Sequence, residues 1–438
     1  MARVPAITMV LRLRLADRNR VAISQRAAAL TVNERIALLR AARRHRSLGL
    51  LLPLAVVHLP ALAVVILAKR RAIRASARRV MYYDYIPPAR RPPEEVWVVR
   101  TIASAEVRCR NRDWLFEHYF GGTPEEVQVL LDNDVVGTQS LSVVRRGSIT
   151  PECALLVLLH RHMCTSTTLV AMAEFFGTDA ATLSGFLGVI EEYVDQKWGH
   201  LVDIAYAGNF GARFGTYRAA MVRTYAEHIG DDTITALPGR FAGCSAMVDG
   251  FRFRICIPNS TVLDDAQRAF YNKKFGGHSV IFIAVSFPDG MVCITGGDPG
   301  SMNDPRCVSA NNVVQLLDLS HLPNGDRLIC LADAAFGLST SIRPLLKRNM
   351  IGYHFYSNAQ RRTLSRLRIA VEWAVGEVKM DEQFAEQFLH NKLQQTMCIR
   401  GMRLSVLIRN FFRCMSGSNA SLYFDVYPPT LEEYLSWA

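Results

Sequence analysis

AMVDGFRFR at residues 246–254, LICLADAAF at residues 328–336 and SRLRIAVEWAVGEVK at residues 365–379 decide the fold. The first two stretches alternate or run apolar, as strands do, and carry Asp249 and Asp333. The third has helical periodicity and carries Glu372 at the border of its apolar stripe. The sequence therefore predicts two aspartates on strands and one glutamate on a late helix.

The intervening elements can be predicted from the same signals. SVIFIAVSFPDGMVCITGG at residues 279–297 joins two β-branched runs through Pro288-Asp289-Gly290, a turn tripeptide. We predict strands at 244–257, 279–286, 291–295, 327–332 and 350–356, and helices at 308–319, 339–347 and 365–380. This order predicts an α/β fold with a ribonuclease-H-like mixed sheet flanked by helices.

Three carboxylates at one end of a sheet repel one another unless a divalent cation neutralises them. Asp249, Asp333 and Glu372 are therefore candidate catalytic and metal-binding residues, and Asp304 in a Gly-rich loop is a fourth candidate ligand. Phosphodiester cleavage by divalent cations uses such a site. The alternative is structural: each aspartate caps a strand end, and Glu372 pairs with Arg368 one helical turn earlier.

The motifs of residues 116–435 resemble the PIF/Harbinger-type transposases, which are DDE superfamily endonucleases. In order, the shared motifs are Val248-Asp249-Gly250, Tyr271-Asn272, His278, Pro288-Asp289-Gly290, Gly297-x-x-Gly300, Asn303-Asp304, LADAAF at residues 331–336, Arg368, Val371-Glu372-Trp373, Gly376 and Lys379. The resemblance implies a DDE triad of Asp249, Asp333 and Glu372 with Mg²⁺ or Mn²⁺, and DNA as substrate. It also implies a nuclear location in a eukaryotic cell, a separate DNA-binding partner protein, and a homo-oligomer if the protein is active.

The sequence departs from the family pattern beside the carboxylates. Phe251 stands where the family usually has threonine, Asn303 where it has histidine, and Phe336 where it has tyrosine. These departures keep a second class of function open: a domesticated, catalytically silent DNA-binding or scaffold protein of transposase origin.

The charge of the chain is unevenly distributed. Residues 1–100 contain 20 Lys and Arg against 5 Asp and Glu, so the other 338 residues carry a net charge of −3 within the total of +12. DNA attraction in the predicted catalytic domain must therefore come from a local basic patch. The predicted DNA-binding residues are Arg361, Arg362, Arg366, Arg368 and Lys379.

Residues 1–80 form a basic N-terminal extension that contains an apolar run at 48–68. This run is long enough to span a membrane, but Pro53, Pro60 and His58 interrupt it, so membrane anchoring is a less favoured third reading. A DNA-contacting arm or nuclear import signal is an equal alternative. Residues 81–100 read as a Pro/Arg linker. The ten cysteines show no zinc spacing, which favours reduced core residues.

Residues 101–240 are predicted to form a helical domain with a helix–turn–helix pattern. Gly177 suits a left-handed helix end, and Thr178 can cap the helix that follows. That helix offers no Arg or Lys in its first turns, so a helical bundle supporting the catalytic domain is an equal alternative. Residues 241–414 form the predicted catalytic domain, and 415–438 a C-terminal tail.

Overall fold

A computed structural model of the chain describes residues 99–437 except 110–111, 144–145, 164–167, 256, 258–263, 275, 321–326, 351 and 380–397. All described residues belong to one compact unit, Glu95–Ala438. The predicted N-terminal extension with its apolar run, and nearly all of the linker, lie outside the described residues. Among the helices that are described, none is both long and apolar enough to cross a bilayer.

The region before the large sheet is mainly helical, and a short β-hairpin interrupts it. Its helices are α1 (Ile102–Arg108), α2 (Asp113–Phe120), α3 (Pro124–Asp132), α4 (Pro151–Met163), α5 (Leu169–Phe175), α6 (Ala180–Trp198) and α7 (Phe214–Ile229). The hairpin pairs β1 (Leu141–Val143) with β2 (Gly147–Ile149). Short 3-10 segments follow at Gly199–Val202, Ile204–Arg213 and Gly239–Phe241.

The helix–turn–helix pattern corresponds to α5 and α6. Gly177 has φ +63°, the left-handed conformation that the sequence predicted. The cap of α6 is one residue later than predicted, because the Asp179 side chain, not that of Thr178, accepts the hydrogen bond from the Thr182 backbone N–H.

The mixed sheet predicted from the sequence is confirmed. Its strands are β3 (Ala246–Arg254), β4 (Tyr271–Asn272), β5 (Gly277–Ser286), β6 (Val292–Pro299), β7 (Cys330–Ala332) and β8 (Ile342–Pro344). The order is β4-β5-β3-β7-β8, and β6 also pairs with β5. β3 runs antiparallel to β5 and parallel to β7. It is therefore the boundary between the antiparallel and the parallel parts of the sheet.

Helices flank this sheet and complete the core. They are α8 (Asp264–Phe270), α9 (Asp304–Ala310), α10 (Val313–Leu319), α11 (Asn358–Lys379), α12 (Cys398–Ser416), α13 (Asn419–Phe424) and α14 (Leu431–Leu435). α11 packs against β3 and β5, and α12 packs against β6. The buried side chains of the sheet, of these helices and of the preceding helical region form one continuous hydrophobic core.

Three predicted elements differ from the structure. The helix predicted at 339–347 is wrong: the segment contains the edge strand β8, where Pro344 is tolerated but would break a helix. The strand predicted at 350–356 is a 3-10 turn, Tyr353–Phe355, entered through left-handed Gly352. The single helix predicted at 308–319 is divided between α9 and α10 by Asn312, which has φ +51°.

The β5–β6 turn predicted at Pro288-Asp289-Gly290 is confirmed, but Asp289 is fully buried. Its carboxylate accepts a hydrogen bond from the Tyr217 hydroxyl, accepts another from the Met291 N–H at 3.0 Å, and lies 3.5 Å from Arg213 Nε. Burial raises the pKa of Asp289 to about 6, against the opposing effect of these partners. This carboxyl therefore joins the hairpin turn to α7 of the helical region.

Replacing Asp289 with Asn should remove a pH-dependent part of the stability. Because the pKa is raised from 3.8 to about 6 in the folded state, the favourable contribution of Asp289 is complete below the unfolded value and is lost as pH rises through the folded one. Relative to wild type, the Asp289→Asn variant should gain on the order of 3 kcal/mol in free energy of unfolding between about pH 4 and pH 7.

Urea unfolding of both proteins across this pH range measures the difference. Asp232→Asn, at an exposed position in the loop after α7, is the matched control for the Asp-to-Asn change. A constant difference between wild type and Asp289→Asn would contradict the raised pKa.

Candidate active site

Parallel pairing of β3 with β7 ends directly before two of the predicted aspartates. Val248 lies opposite Ala332 in the last pair of this register, and Asp249 and Asp333 are the residues that follow. β7 ends at Ala332, while β3 continues to Arg254. The two carboxyl groups therefore stand where the parallel part of the sheet opens.

The two aspartates have the same local hydrogen bond. Asp249 Oδ1 accepts from the Gly250 N–H at 2.9 Å, and Asp333 Oδ1 accepts from the Ala334 N–H at 2.7 Å. Each bond uses one oxygen of its carboxylate and fixes the rotation of that side chain. In both residues Oδ2 remains for another partner.

The third predicted carboxylate reaches Asp249 through an arginine. Glu372 lies on α11, one turn after Arg368, and the Arg368 Nη2 donates to Glu372 Oε1. The Nη1 of the same guanidinium donates to Asp249 Oδ2 at 3.1 Å. The expected pair between Glu372 and Arg368 is thus present. Arg368 also pairs with Asp249, which lies 119 residues before it in the chain.

The environment of Asp249 disfavours its charge. The pKa of Asp249 is raised to about 6, with burial as the largest cause and the nearby carboxylates of Asp304 and Glu372 as smaller ones. Arg368 and the Gly250 N–H lower this pKa. Negative charge is therefore concentrated around Asp249, and Arg368 is the cation that offsets it.

Asp304 approaches the strand at Gly250, next to Asp249. A Cβ at position 250 would lie 2.7 Å from Asp304 Cγ, so only glycine leaves room for this carboxyl. The Arg252 Nη2 lies 3.7 Å from Asp304 Oδ1, and this buried oxygen has no hydrogen-bond partner among the described residues. Asn303 caps α9 by accepting from the Arg306 N–H at 3.0 Å, which sets Asp304 in the first turn.

The basic residues predicted to bind DNA differ in their contacts. Arg361 is turned inward: its guanidinium covers the Tyr353 ring and donates to the carbonyl oxygens of Tyr353 and Tyr356. Arg362 and Arg366 are exposed on α11. Arg368 binds the two carboxylates, as described above, and Lys379 ends the helix.

Within the described ranges, no three His, Cys, Asp or Glu side chains come close enough to share a metal ion. The donor set nonetheless fits a hard divalent cation in its chemistry, because all four candidate ligands are carboxylates. The Arg368 guanidinium also stands between Asp249 and Glu372 as a cation. The sequence does not indicate that Arg252 pairs with Asp304 or that Arg368 contacts Asp249, since neither pairing leaves a local signal.

The comparison with known families agrees with this part of the fold. Residues 248–408, somewhat more than a third of the chain, match the sequence model of the DDE superfamily endonuclease family. The match spans β3 to α12 and includes all four candidate carboxylates. No curated protein and no solved structure matches the chain. The matched stretch is therefore similar to a DDE superfamily endonuclease, which is the class that the sequence resemblance implied.

Replacing Gly250 with Ala should displace Asp304 from β3. Because the added Cβ would overlap a short, partly buried side chain, we expect a loss of about 1–3 kcal/mol in free energy of unfolding. Gly277→Ala is the matched control, since Gly277 also lies in a strand of this sheet and a Cβ there meets nothing within 4 Å. Equal losses in the two variants, measured by urea unfolding, would show that Asp304 does not approach Gly250.

Proposed function

We propose that this protein cleaves DNA phosphodiester bonds with a divalent cation, Mg²⁺ or Mn²⁺, held by Asp249, Asp333 and Glu372. The observation that carries the proposal is the register of β3 and β7, in which Asp249 and Asp333 each follow the last residue pair. The similarity of residues 248–408 to a DDE superfamily endonuclease supports it. Asp304 is the fourth candidate ligand through its Oδ1, which has no hydrogen-bond partner among the described residues.

The roles of the residues follow from their positions. Asp249 and Asp333 each use Oδ1 for a backbone N–H, so a cation would bind their Oδ2, which in Asp249 is the oxygen that Arg368 contacts. Glu372 is 47% exposed and lies at the rim of the site, so it can close the site from the helix side. When bound, the cations supply an activated oxygen nucleophile and stabilise the leaving oxygen. The exposed Arg362 and Arg366 on the same helix would hold the phosphate backbone.

The finer assignment within the superfamily is also a proposal. The ordered motifs of residues 248–379 support a PIF/Harbinger-type transposase origin, and with it a nuclear location, a separate DNA-binding partner protein and a homo-oligomer. Helices α5 and α6 supply a helix–turn–helix, but Asp179 at the start of α6 places negative charge where a phosphate contact would need a donor. The partner protein would then supply sequence recognition.

A catalytically silent DNA-binding or scaffold protein is the second candidate function. The observation in its favour is the Arg368 bridge, which leaves Asp249 and Glu372 paired without a metal ion. In this case the carboxylates serve the fold, and their loss would change stability but no reaction.

Nicking of labelled duplex DNA by the full chain in Mn²⁺ separates the two functions. We expect nicking in wild type and a loss of at least about 100-fold in Asp333→Asn, because the variant loses one charged ligand of the cation. Asp232→Asn, outside the site, should retain the wild-type rate. Folded wild-type protein that shows no nicking, with no effect of Mn²⁺ on its thermal unfolding, would support the silent protein.

The salt dependence of DNA binding should change when Arg362 and Arg366 lose their charges. Removing both charges in Arg362→Gln/Arg366→Gln should weaken binding and reduce the slope of log K against log salt by about 2, because each phosphate contact releases about one counterion. Fluorescence anisotropy at several salt concentrations gives this slope.

Arg361→Gln is the matched control for this measurement. Its guanidinium already binds two carbonyl oxygens, so the variant should have a lower unfolding temperature and an unchanged slope. A slope that changes equally in the control and in the double variant would place the DNA contact elsewhere on the helix.

A further inference from the structure

The guanidinium of Arg368 lies where the proposed function requires a metal cation. Its Nη1 is 3.1 Å from Asp249 Oδ2, and its Nη2 binds Glu372 Oε1. Both contacts use carboxylates that the proposed function assigns to the metal. One planar side chain with two parallel sets of donors thereby joins a strand to a helix.

The position requires a positive charge in the metal-free protein. The side chains of Arg368 and Asp249 are only 16% and 24% exposed, and Asp304 and Glu372 both repel the Asp249 carboxylate. A partly buried carboxylate without a partner is costly, and more so beside two others. Arg368 is the cation that forms an ion pair with Asp249 in the described structure.

A metal ion and Arg368 compete for the same oxygen. A divalent cation bound to Asp249 Oδ2 would take the lone pairs that Nη1 uses, and it would repel the guanidinium. The two partners therefore exclude each other at Asp249.

We propose that Arg368 is an internal counter-ion, which holds Asp249 and Glu372 in the metal-free protein and must leave Asp249 when a divalent cation binds. The proposal rests on the proposed function, because it needs the carboxylates to be a metal site. Arg368 acts here as a positioning residue: it sets the carboxylates and tunes the affinity for metal.

The surroundings of Arg368 allow it to move. Its Nε is buried and has no hydrogen-bond acceptor among the described residues, so the guanidinium is held by its two Nη groups alone. Glu372, the other partner of Arg368, is half-exposed at the rim, so Arg368 can leave Asp249 while it keeps the pair with Glu372.

Mn²⁺ affinity measured by titration calorimetry on the full chain at pH 8 tests the proposal. Arg368→Gln removes the competing charge and should bind Mn²⁺ about tenfold more tightly than wild type, a change of about 1.4 kcal/mol. Its metal-free form should unfold at a lower temperature, and Mn²⁺ should raise that temperature by more than it does in wild type. Arg348→Gln, at an exposed arginine outside the site, is the matched control and should keep wild-type affinity.

The outcomes separate this proposal from the proposed function. Mn²⁺ binding by wild type with equal or weaker binding by Arg368→Gln would overturn the counter-ion and leave the metal site standing. Binding by neither protein would overturn both. If Arg368→Gln does not fold, Arg368→Lys takes its place: it keeps the charge on a single ammonium that cannot bridge both carboxylates, and we expect tighter Mn²⁺ binding than in wild type. Wild-type affinity in that variant would contradict the proposal.

Discussion

Three residue pairs between β3 and β7 determine where Asp249 and Asp333 lie in the sheet. Parallel strands bury both faces and cannot be joined by a tight turn, so the chain must leave the sheet and return before Cys330 can pair beside Ala246. The pairing ends at Val248 and Ala332. The register, and not the mere presence of two aspartates, places both residues directly after the last pair of the same ladder.

Two buried aspartates show how differently the same chain accommodates a carboxyl group. Burial raises the pKa of both Asp249 and Asp289 to about 6. Asp289 is enclosed by a tyrosine hydroxyl, a backbone N–H and Arg213, and no part of it reaches solvent. Asp249 has one backbone N–H and one arginine, and it faces two other carboxylates. The first arrangement suits a fixed structural joint, and the second suits a site whose cation can be exchanged.

The elements that could be predicted are those whose own residues carry a pattern typical of a strand, a turn or a helix. The alternating residues of β3 and β5, the Pro-Asp-Gly turn and the apolar stripe of α11 each carry their own signal. The helix predicted over the β8 segment is wrong because strand pairing along Cys330–Ala332 overrides helical propensity. The contact between Arg368 and Asp249 could not be predicted either, since the spacing of Arg368 and Glu372 already explains an ion pair within the helix. Only the packing of α11 on β3 reveals the second carboxylate.

The departures from the family pattern have structural explanations that leave the carboxylates intact. Phe251 is buried and stacks on Phe282 of the neighbouring strand, with ring centroids 5.5 Å apart, so it strengthens the sheet beside Asp249. Asn303 caps α9 through its own side chain and thereby fixes Asp304. Neither residue supplies a charge to the site or removes one. Under our proposal, the choice between a nuclease and a silent protein depends on whether a divalent cation can replace Arg368 at Asp249.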